Sequence, residues 1–189
     1  MNNTKETMLN LTNEQLINIA LGAGFSAAAI INARDLVFDP YFRDCCKQNY
    51  CGKYGANYSC PPDCGTFSEM KNKITARSKA LALQTLGRVP DISDDEAVIR
   101  ARAYHNEASF RLARILRLNP DEFVLAGAGY CALCNPCAVT ENKPCRFPDK
   151  RYSCMSAYCV NVKDLAEKCG MPYQYADGVL PLFGLLAFD

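Results

Sequence analysis

The spacing of four cysteines in the second half of the chain constrains this protein more than any other feature. Cys131, Cys134 and Cys137 are separated by two residues each, and Cys145 follows after seven more. Such short, repeated spacings let one segment supply several thiolates to a cubane iron–sulfur cluster. Zinc sites usually combine cysteine pairs that lie a dozen or more residues apart, so the run favours a [4Fe–4S] cluster over zinc. The longer last interval lets Cys145 return to the same cluster as its fourth ligand.

Residues beside this run are suited to binding the same cofactor. Gly127 and Gly129 precede Cys131, and glycine lets backbone N–H groups approach the sulfur atoms of a cluster. Arg146 follows the fourth ligand, where a cation would raise the reduction potential of an anionic cluster. An ordinary surface arginine is the competing explanation for Arg146. We expect all three residues to contribute to cofactor binding.

A second cysteine group lies about seventy residues upstream. Glycines and prolines interrupt it, which predicts tight turns that would close the chain around a metal. A zinc knot is one alternative, and a cluster that uses Cys45 in place of Cys46 or Cys64 is another. The preferred interpretation is a second [4Fe–4S] cluster with four thiolate ligands, Cys46, Cys51, Cys60 and Cys64.

Twelve cysteines in 189 residues require a choice between metal and disulfides, and that choice depends on the compartment. The segment Met1–Thr7 has no apolar core and carries Glu6, unlike a secretory signal. We therefore expect a cytoplasmic protein with reduced thiols, in which disulfides are the less favoured explanation. Cys154 and Cys159, five residues apart, do not match a ligand spacing and are interpreted as packing or spare thiols.

The composition excludes several classes of function. Net charge is +1, with 21 basic and 20 acidic residues, so no broad positive field attracts nucleic acid or a membrane surface. No apolar stretch approaches the roughly 20 residues that span a bilayer. The single histidine, His105, excludes a site built on several histidines. One predicted helix still has a basic face, which we interpret as a solvent-exposed surface or a docking patch. This face contains Arg100, Arg102, Arg111, Arg114 and Arg117.

Four capping signals predict where helices begin, because each pairs a capping residue with an acid or amide three positions later. The predicted helices cover about 13–23, 67–77, 94–118 and 162–169. The four pairs are Thr12 with Gln15, Thr66 with Glu69, Ser93 with Glu96, and Asn161 with Asp164. Short apolar runs predict strands at about 27–31, 80–86, 122–126 and 182–188.

This order of elements predicts an α/β (α+β) fold. We expect a single two-layer domain over residues 1–189, with helices covering a small sheet. A ferredoxin-like split βαβ topology fits four strands. The two cysteine-rich segments, about 43–66 and 127–160, are longer than usual connections, and metal ligation would explain why they are ordered.

Several motifs along most of the chain occur together: Arg43, Cys51-Gly-Lys-Tyr54-Gly55 leading to Ser59-Cys60-Pro61-Pro62, the Cys131 run, Pro144-Cys145-Arg146 and residues 155–162. With these motifs the chain resembles a prokaryotic family known only as predicted metal-binding proteins of unknown function. The resemblance implies a cysteine-ligated metal but supplies no reaction. Many relatives come from anaerobes, which suits oxygen-sensitive clusters. Cys64, Cys154, Cys159 and the Cys45-Cys46 pair depart from the family pattern.

Three functions fit these observations. The first is an electron-transfer or redox accessory protein that carries two [4Fe–4S] clusters and meets a redox partner protein. The second is an enzyme whose upstream cluster has an open iron that acts as a Lewis acid. The third is a zinc-stabilised interaction module. No catalytic triad, carboxylate pair or phosphate-binding glycine loop is evident, and nucleic acid and membranes are not expected as partners.

Overall fold

The computed structural model describes residues 11–189, and the segment Met1–Thr7 considered above lies outside them. Within residues 11–189 five α-helices form: α1 Asn13–Gly22, α2 Tyr41–Lys47, α3 Phe67–Thr75, α4 Asp95–Ile115 and α5 Val162–Cys169. The same residues contribute five strands: β1 Ala27–Asn32, β2 Lys79–Arg88, β3 Phe123–Gly127, β4 Ser153–Cys154 and β5 Val179–Phe188. In this described part of the chain, no helix is both long and apolar enough to span a membrane.

Three of the four predicted helix starts are confirmed, and the fourth is shifted by one residue. Thr12 and Thr66 each form a capping box, and Asn161 caps α5. The predicted pair Ser93 and Glu96 is wrong. Ser93 instead donates its hydroxyl to Asp91 at 2.7 Å, and Asp94 caps α4 by accepting from the backbone N–H of Ala97 at 3.0 Å.

Two elements were not predicted from the sequence. Helix α2 has no side-chain cap, since Pro40 occupies its N-cap position. Strand β4 is only two residues long and pairs in parallel with the end of β3, where Ser153 lies beside Ala126 and Cys154 beside Gly127. Neither element carries a local signal, because one lacks a cap and the other depends on its partner strand.

The strands form one mixed sheet in the order β1-β2-β5-β3-β4. Strand β5 lies between β2 and β3 and pairs antiparallel with both, so β2 and β3 run in the same direction. With α4 connecting them, they form a split βαβ unit of the expected kind. The full ferredoxin-like arrangement differs, because β1 and β4 extend the sheet at its two edges.

Helices cover both faces of the sheet, so the α/β class is confirmed but the fold has three layers rather than two. Alternate residues of β2 face opposite sides, because side chains alternate along a strand. Ala80 and Ala82 pack in the cluster that contains Met70 of α3 and Leu165 of α5. On the other face, Leu81 and Leu83 pack with Leu16 of α1 and Leu112 of α4. Burying each of these large side chains stabilises the fold by about 1.5–3 kcal/mol.

The second cysteine segment packs on both faces of the sheet, with Cys131 and Tyr152 in the core on the α1 and α4 side. Both cysteine segments contribute to the core on the α3 and α5 side. The first runs from α2 to the start of α3, and the second runs from the end of β3 through β4 to α5. Cys64, Met155 and Tyr158 contribute to the core on this side, and Cys154 packs against it. The two segments are therefore anchored in the core.

Candidate metal centre

The upstream cysteines lie on a short helix and a series of turns. Cys45 and Cys46 are partly buried in α2, and Cys51 is exposed in the loop that follows. Cys60 and Cys64 are buried, and the backbone N–H of Cys64 donates to the carbonyl of Cys60 at 3.0 Å. This turn places both thiols on the inner side of the loop, just before α3.

Burial favours the neutral form of two of these thiols, Cys46 and Cys60. Burial raises the pKa of Cys46 to about 11, and repulsion from Cys154 is the next largest cause. Burial also raises the pKa of Cys60 to about 12, although a hydrogen bond with Ser59 opposes the shift. A metal that binds here must therefore displace protons from the sulfur atoms.

Arg43 lies beside the upstream thiols and connects three segments of the chain. Its guanidinium donates to the carbonyl of Ala157 at 2.7 Å, to Cys64 Sγ at 3.5 Å and to the carbonyl of Thr66 at 3.4 Å. Burial by itself would lower the pKa of Arg43, but hydrogen bonding to Cys159 and the charges of Cys64 and Cys159 raise it overall. Arg43 thus places a positive charge in contact with the sulfur atom of Cys64.

Cys154 and Cys159 are both packed in or against the core, as the interpretation as packing thiols expected, and both lie near the upstream group. Repulsion from Cys154 raises the pKa of both Cys46 and Cys60. Burial raises the pKa of Cys159, and its hydrogen bond with Arg43 offsets part of that shift. Spacing along the chain could not reveal this association, because β4 brings Cys154 in from about ninety residues away.

Among the four downstream cysteines, Cys134 and Cys145 lie near Cys131. Burial raises the pKa of Cys131, and Cys134 and Cys145 add to the shift through repulsion, while backbone hydrogen bonds from Leu133 and Tyr152 oppose it. Cys137 is buried at the start of the short 3-10 helix Ala138–Glu141. The assignment of Cys137 and its three neighbours as ligands of one cluster stays a prediction.

The glycines before Cys131 allow close packing. A Cβ atom on Gly127 would lie 2.5 Å from Asn106 Oδ1 and 2.7 Å from Tyr152 Cδ2, so only glycine fits there. Gly129 has a φ of +76°, which glycine adopts readily. Asn106 also donates to the carbonyl of Ala128 and accepts from its N–H, both at 2.9 Å. These contacts hold the turn that leads into Cys131, while a contact between either glycine and a cluster stays a prediction.

The guanidinium of Arg146 lies inside the downstream loop, and its expected contact with a cluster stays a prediction. Its guanidinium donates to the carbonyl of Pro136 at 2.8 Å and to Glu141 at 3.2 Å. A hydrogen bond to Cys134 is the main cause that raises its pKa, and Glu141 adds to the shift. The arginine that follows Cys145 in sequence therefore lies beside Cys134.

Buried hydrogen bonds join the two cysteine groups. The backbone N–H of Cys131 donates to Ser59 Oγ at 2.9 Å, and Ser59 Oγ lies 3.7 Å from Cys60 Sγ. Asn57 donates to the carbonyl of Cys131 at 2.9 Å and accepts from the Ser59 hydroxyl at 2.9 Å. Asn57 carries no recognisable signal in the sequence, and Ser59 enters the sequence analysis only as part of a motif around Cys60, yet together they hold the two groups side by side.

The residues of the upstream group fit an anionic, cysteine-ligated centre. Nε of Arg43 is buried and has no hydrogen-bond partner, although buried charged groups are normally paired. An anion bound beside it would supply one. Among residues 11–189, no three His, Cys, Asp or Glu side chains lie close enough together to hold a single metal ion. A [4Fe–4S] cluster binds its cysteines at four different irons, so its thiolates are spread more widely than those around one ion.

A cleft of about 930 Å³ opens beside the upstream group, with Cys64 in its wall. Phe110, Phe123 and Leu133 contribute apolar surface to the wall. Its charged lining has six cationic side chains against two anionic ones, Glu107 and Asp149. The cations are Lys73, Arg111, Arg114, Arg117, Lys150 and Arg151. Three residues of the basic face expected on α4 therefore line a cleft that reaches a thiol.

Comparison with known proteins supports a metal-binding role. No curated protein and no solved structure is significantly similar to the chain. The family model described as "Predicted metal-binding protein (DUF2284)" matches residues 29–188, which include both cysteine groups and the whole sheet except the start of β1. This cysteine-rich chain belongs to that family of predicted metal-binding proteins.

Proposed function

We propose that this protein carries two [4Fe–4S] clusters and transfers electrons as a redox accessory protein. The observation that carries the proposal is the pair of cysteine groups joined through Ser59, whose Oγ contacts both the Cys131 N–H and Cys60 Sγ. Two clusters held this close together within one fold are suited to passing single electrons between them. The bound clusters would supply the one-electron chemistry.

Residues of the chain itself would bind the clusters and adjust their reduction potentials. Cys46, Cys51, Cys60 and Cys64 are the upstream ligands expected from the sequence, and the downstream ligands are Cys131, Cys134, Cys137 and Cys145. The guanidinium of Arg43 contacts Cys64 Sγ, and that of Arg146 lies beside Cys134. A cation at that position stabilises the reduced, more negative form of a cluster and so raises its reduction potential. Zinc is the alternative metal.

Metal analysis tests this function directly. After anaerobic purification, we expect about eight irons and about eight acid-labile sulfides per chain, with a visible absorption band that bleaches reversibly with dithionite. A colourless protein with zinc and no acid-labile sulfide would contradict the proposal and favour the zinc-stabilised interaction module.

The basic cleft supports an acidic redox partner. A positively charged cleft accelerates association with a negatively charged surface, and salt weakens that effect. Electron transfer to an acidic carrier protein is therefore expected to slow as salt increases. Substituting Arg114 and Arg117 by Gln would reduce this salt dependence, whereas Arg88→Gln, an exposed residue on β2 outside the cleft, serves as the matched control.

The same cleft favours one second candidate function, an enzyme whose upstream cluster keeps an open iron. The volume of the cleft is typical of small-molecule sites, and its cations suit an anionic substrate. Adding a small carboxylate such as citrate would then change the electron paramagnetic resonance spectrum of the reduced protein at low concentration. An unchanged spectrum would leave electron transfer as the function.

A further inference from the structure

The wall of the basic cleft contains two buried hydroxyl groups that the fold leaves without a partner. Ser153 on β4 is 7% exposed, and Tyr158, in the turn after that strand, is 6% exposed. Both residues line the cleft. Within residues 11–189 neither hydroxyl forms a hydrogen bond. Buried hydroxyl groups usually have a hydrogen-bond partner, so a molecule bound in the cleft would supply the one that the protein does not.

Most of the cations of the cleft are also free to bind a ligand. Lys73 and Arg111 are engaged by the backbone, at 3.4 Å from the carbonyl of Cys64 and 3.2 Å from the carbonyl of Ala23. In the part of the chain that the structure describes, the remaining four cationic side chains form no hydrogen bond or ion pair, and they are Arg114, Arg117, Lys150 and Arg151. Their charge favours an anionic group in the cleft.

Apolar side chains line the same cleft. Phe110, Leu118, Phe123 and Leu133 are partly buried and pack against one hydrophobic cluster, the core on the α1 and α4 side. The ring of Phe110 meets that of Tyr152 edge to face, with 5.6 Å between the ring centres. These side chains form one apolar wall that still has exposed surface, and an apolar group bound there would be removed from water.

From this arrangement we propose that the cleft binds a small amphipathic organic anion. The hydroxyls of Ser153 and Tyr158, with the unpaired cations, would receive its carboxylate or phosphate, and its apolar body would lie against Phe110 and Phe123. The volume of about 930 Å³ is in the range of small-molecule sites. Such a ligand is more specific than the anionic substrate considered for an open iron, because it needs an apolar body. Its binding also does not depend on which metal the protein carries.

Calorimetric titration of the metal-containing protein tests the ligand class. The probes 1-naphthyl phosphate and 1-naphthoate combine a ring with an oxyanion, whereas inorganic phosphate and acetate carry only the anion and 1-naphthol carries the ring without the charge. We expect at least one naphthyl anion to bind about ten-fold or more tightly than any of the three partial probes, because both the charge and the apolar surface contribute. The tighter of the two naphthyl anions identifies the anionic group.

Two hydroxyl variants test the site itself. Tyr158→Phe and Ser153→Ala each remove one hydroxyl, and each is expected to weaken binding of the naphthyl anion by about ten-fold, the effect of one hydrogen bond to a charged group. Thermal unfolding of both variants without ligand is expected to match that of the unsubstituted protein, since neither hydroxyl is paired within residues 11–189. Tyr173→Phe is the matched control, because Tyr173 is exposed and lies outside the cleft.

Several results would overturn the proposed site. Neither naphthyl anion might be bound above its partial probes, which would leave the cleft to the acidic redox partner. Unchanged affinity in both hydroxyl variants would equally exclude Ser153 and Tyr158 from a binding site. The metal content distinguishes these outcomes from failure of the proposed function: zinc in place of iron contradicts electron transfer, whereas binding of the naphthyl anion and its loss in the hydroxyl variants would still support the site.

Discussion

The backbone N–H of Cys131 donates a hydrogen bond of 2.9 Å to Ser59 Oγ, and this bond connects the two cysteine groups inside the protein. Ser59 is fully buried, and its hydroxyl donates to Asn57 in turn. The serine thus orients the backbone on both sides of the proposed pair of clusters. Removal of the Ser59 hydroxyl is therefore expected to lower both the stability of the fold and the affinity for metal.

Ser59→Ala is expected to destabilise the protein by about 1–3 kcal/mol, because it leaves the buried N–H of Cys131 without its acceptor. Anaerobic urea denaturation followed by far-UV circular dichroism measures the effect. Ser68→Ala changes an exposed serine on α3 and should stay within about 0.5 kcal/mol of the unsubstituted protein. Equal stability of the two variants would show that the bridge contributes nothing.

Arg43→Gln is expected to weaken metal binding at the upstream group by about 10–100-fold, a typical effect for residues that hydrogen-bond a ligand. The substitution removes the contacts with Cys64 Sγ and with the carbonyl of Ala157. Release of metal to a chelator should become biphasic, with a fast phase for the upstream centre.

The matched control is Arg100→Gln, since Arg100 is exposed and its ion pair with Glu96 lies on the surface. Its release kinetics should equal those of the unsubstituted protein. If Arg43→Gln also releases metal in the same single phase, the contacts of Arg43 do not support the centre.

Gly184→Ala is expected to destabilise the protein by about 1–3 kcal/mol through overpacking. A Cβ atom there would lie 2.6 Å from His105 Nε2 and 2.9 Å from the carbonyl oxygen of Ala126. Gly22→Ala is the control, because a Cβ atom on that helical glycine meets nothing within 4 Å, and it should be neutral or stabilising by up to about 1 kcal/mol. Thermal unfolding of both variants measures the difference, and a Gly184→Ala variant as stable as Gly22→Ala would refute the packing argument.

Stability is expected to fall as the solution is acidified, because His105 is buried in neutral form. Burial lowers its pKa from 6.5 to about 4, and its Nδ1 lies 2.9 Å from Thr85 Oγ1. The unfolded chain therefore takes up this proton at a higher pH than the folded chain does, so stability is lost as the pH falls from about 6.5 towards 4.

This histidine alone should lower the free energy of unfolding by about 1–2 kcal/mol between about pH 6.5 and pH 5. His105→Gln removes the only imidazole, so urea denaturation of that variant should show a correspondingly flatter dependence on pH in this window. The same slope in both proteins would place the pKa of His105 near that of an exposed histidine.

The elements that the sequence predicted are those with strong local signals. Thr12 and Thr66 begin helices because each forms reciprocal hydrogen bonds with a residue three positions later, and no distant contact is needed. Ser93 failed for a similarly local reason, since the carboxylate of Asp91 accepts from its hydroxyl and leaves Asp94 as the cap. Strand β4 carried no local signal, because two residues form a strand only when a partner strand holds them.

The three-layer arrangement of the fold also could not be predicted from local sequence patterns. Central strands with both faces buried do not alternate between apolar and polar residues. In β2 the residues from Ala80 to Leu83 are all fully buried, so nothing in their order indicates a second layer of helices. Only the tertiary structure shows that adjacent residues of β2 pack in two different hydrophobic cores, one on each face of the sheet.

The sequence by itself determined the spacing of the thiols, the helix starts and the expectation of a cysteine-ligated metal, because these depend on residues near one another along the chain. The tertiary structure alone decided that Arg43 contacts Cys64 and the carbonyl of Ala157, that Cys154 lies near the upstream group and that Ser59 connects this group to Cys131. The reason is physical, since parallel pairing of β4 with β3 brings Cys154 to cysteines about ninety residues away. The sequence shows which thiols lie near one another along the chain, whereas the sheet decides which thiols lie near one another in space.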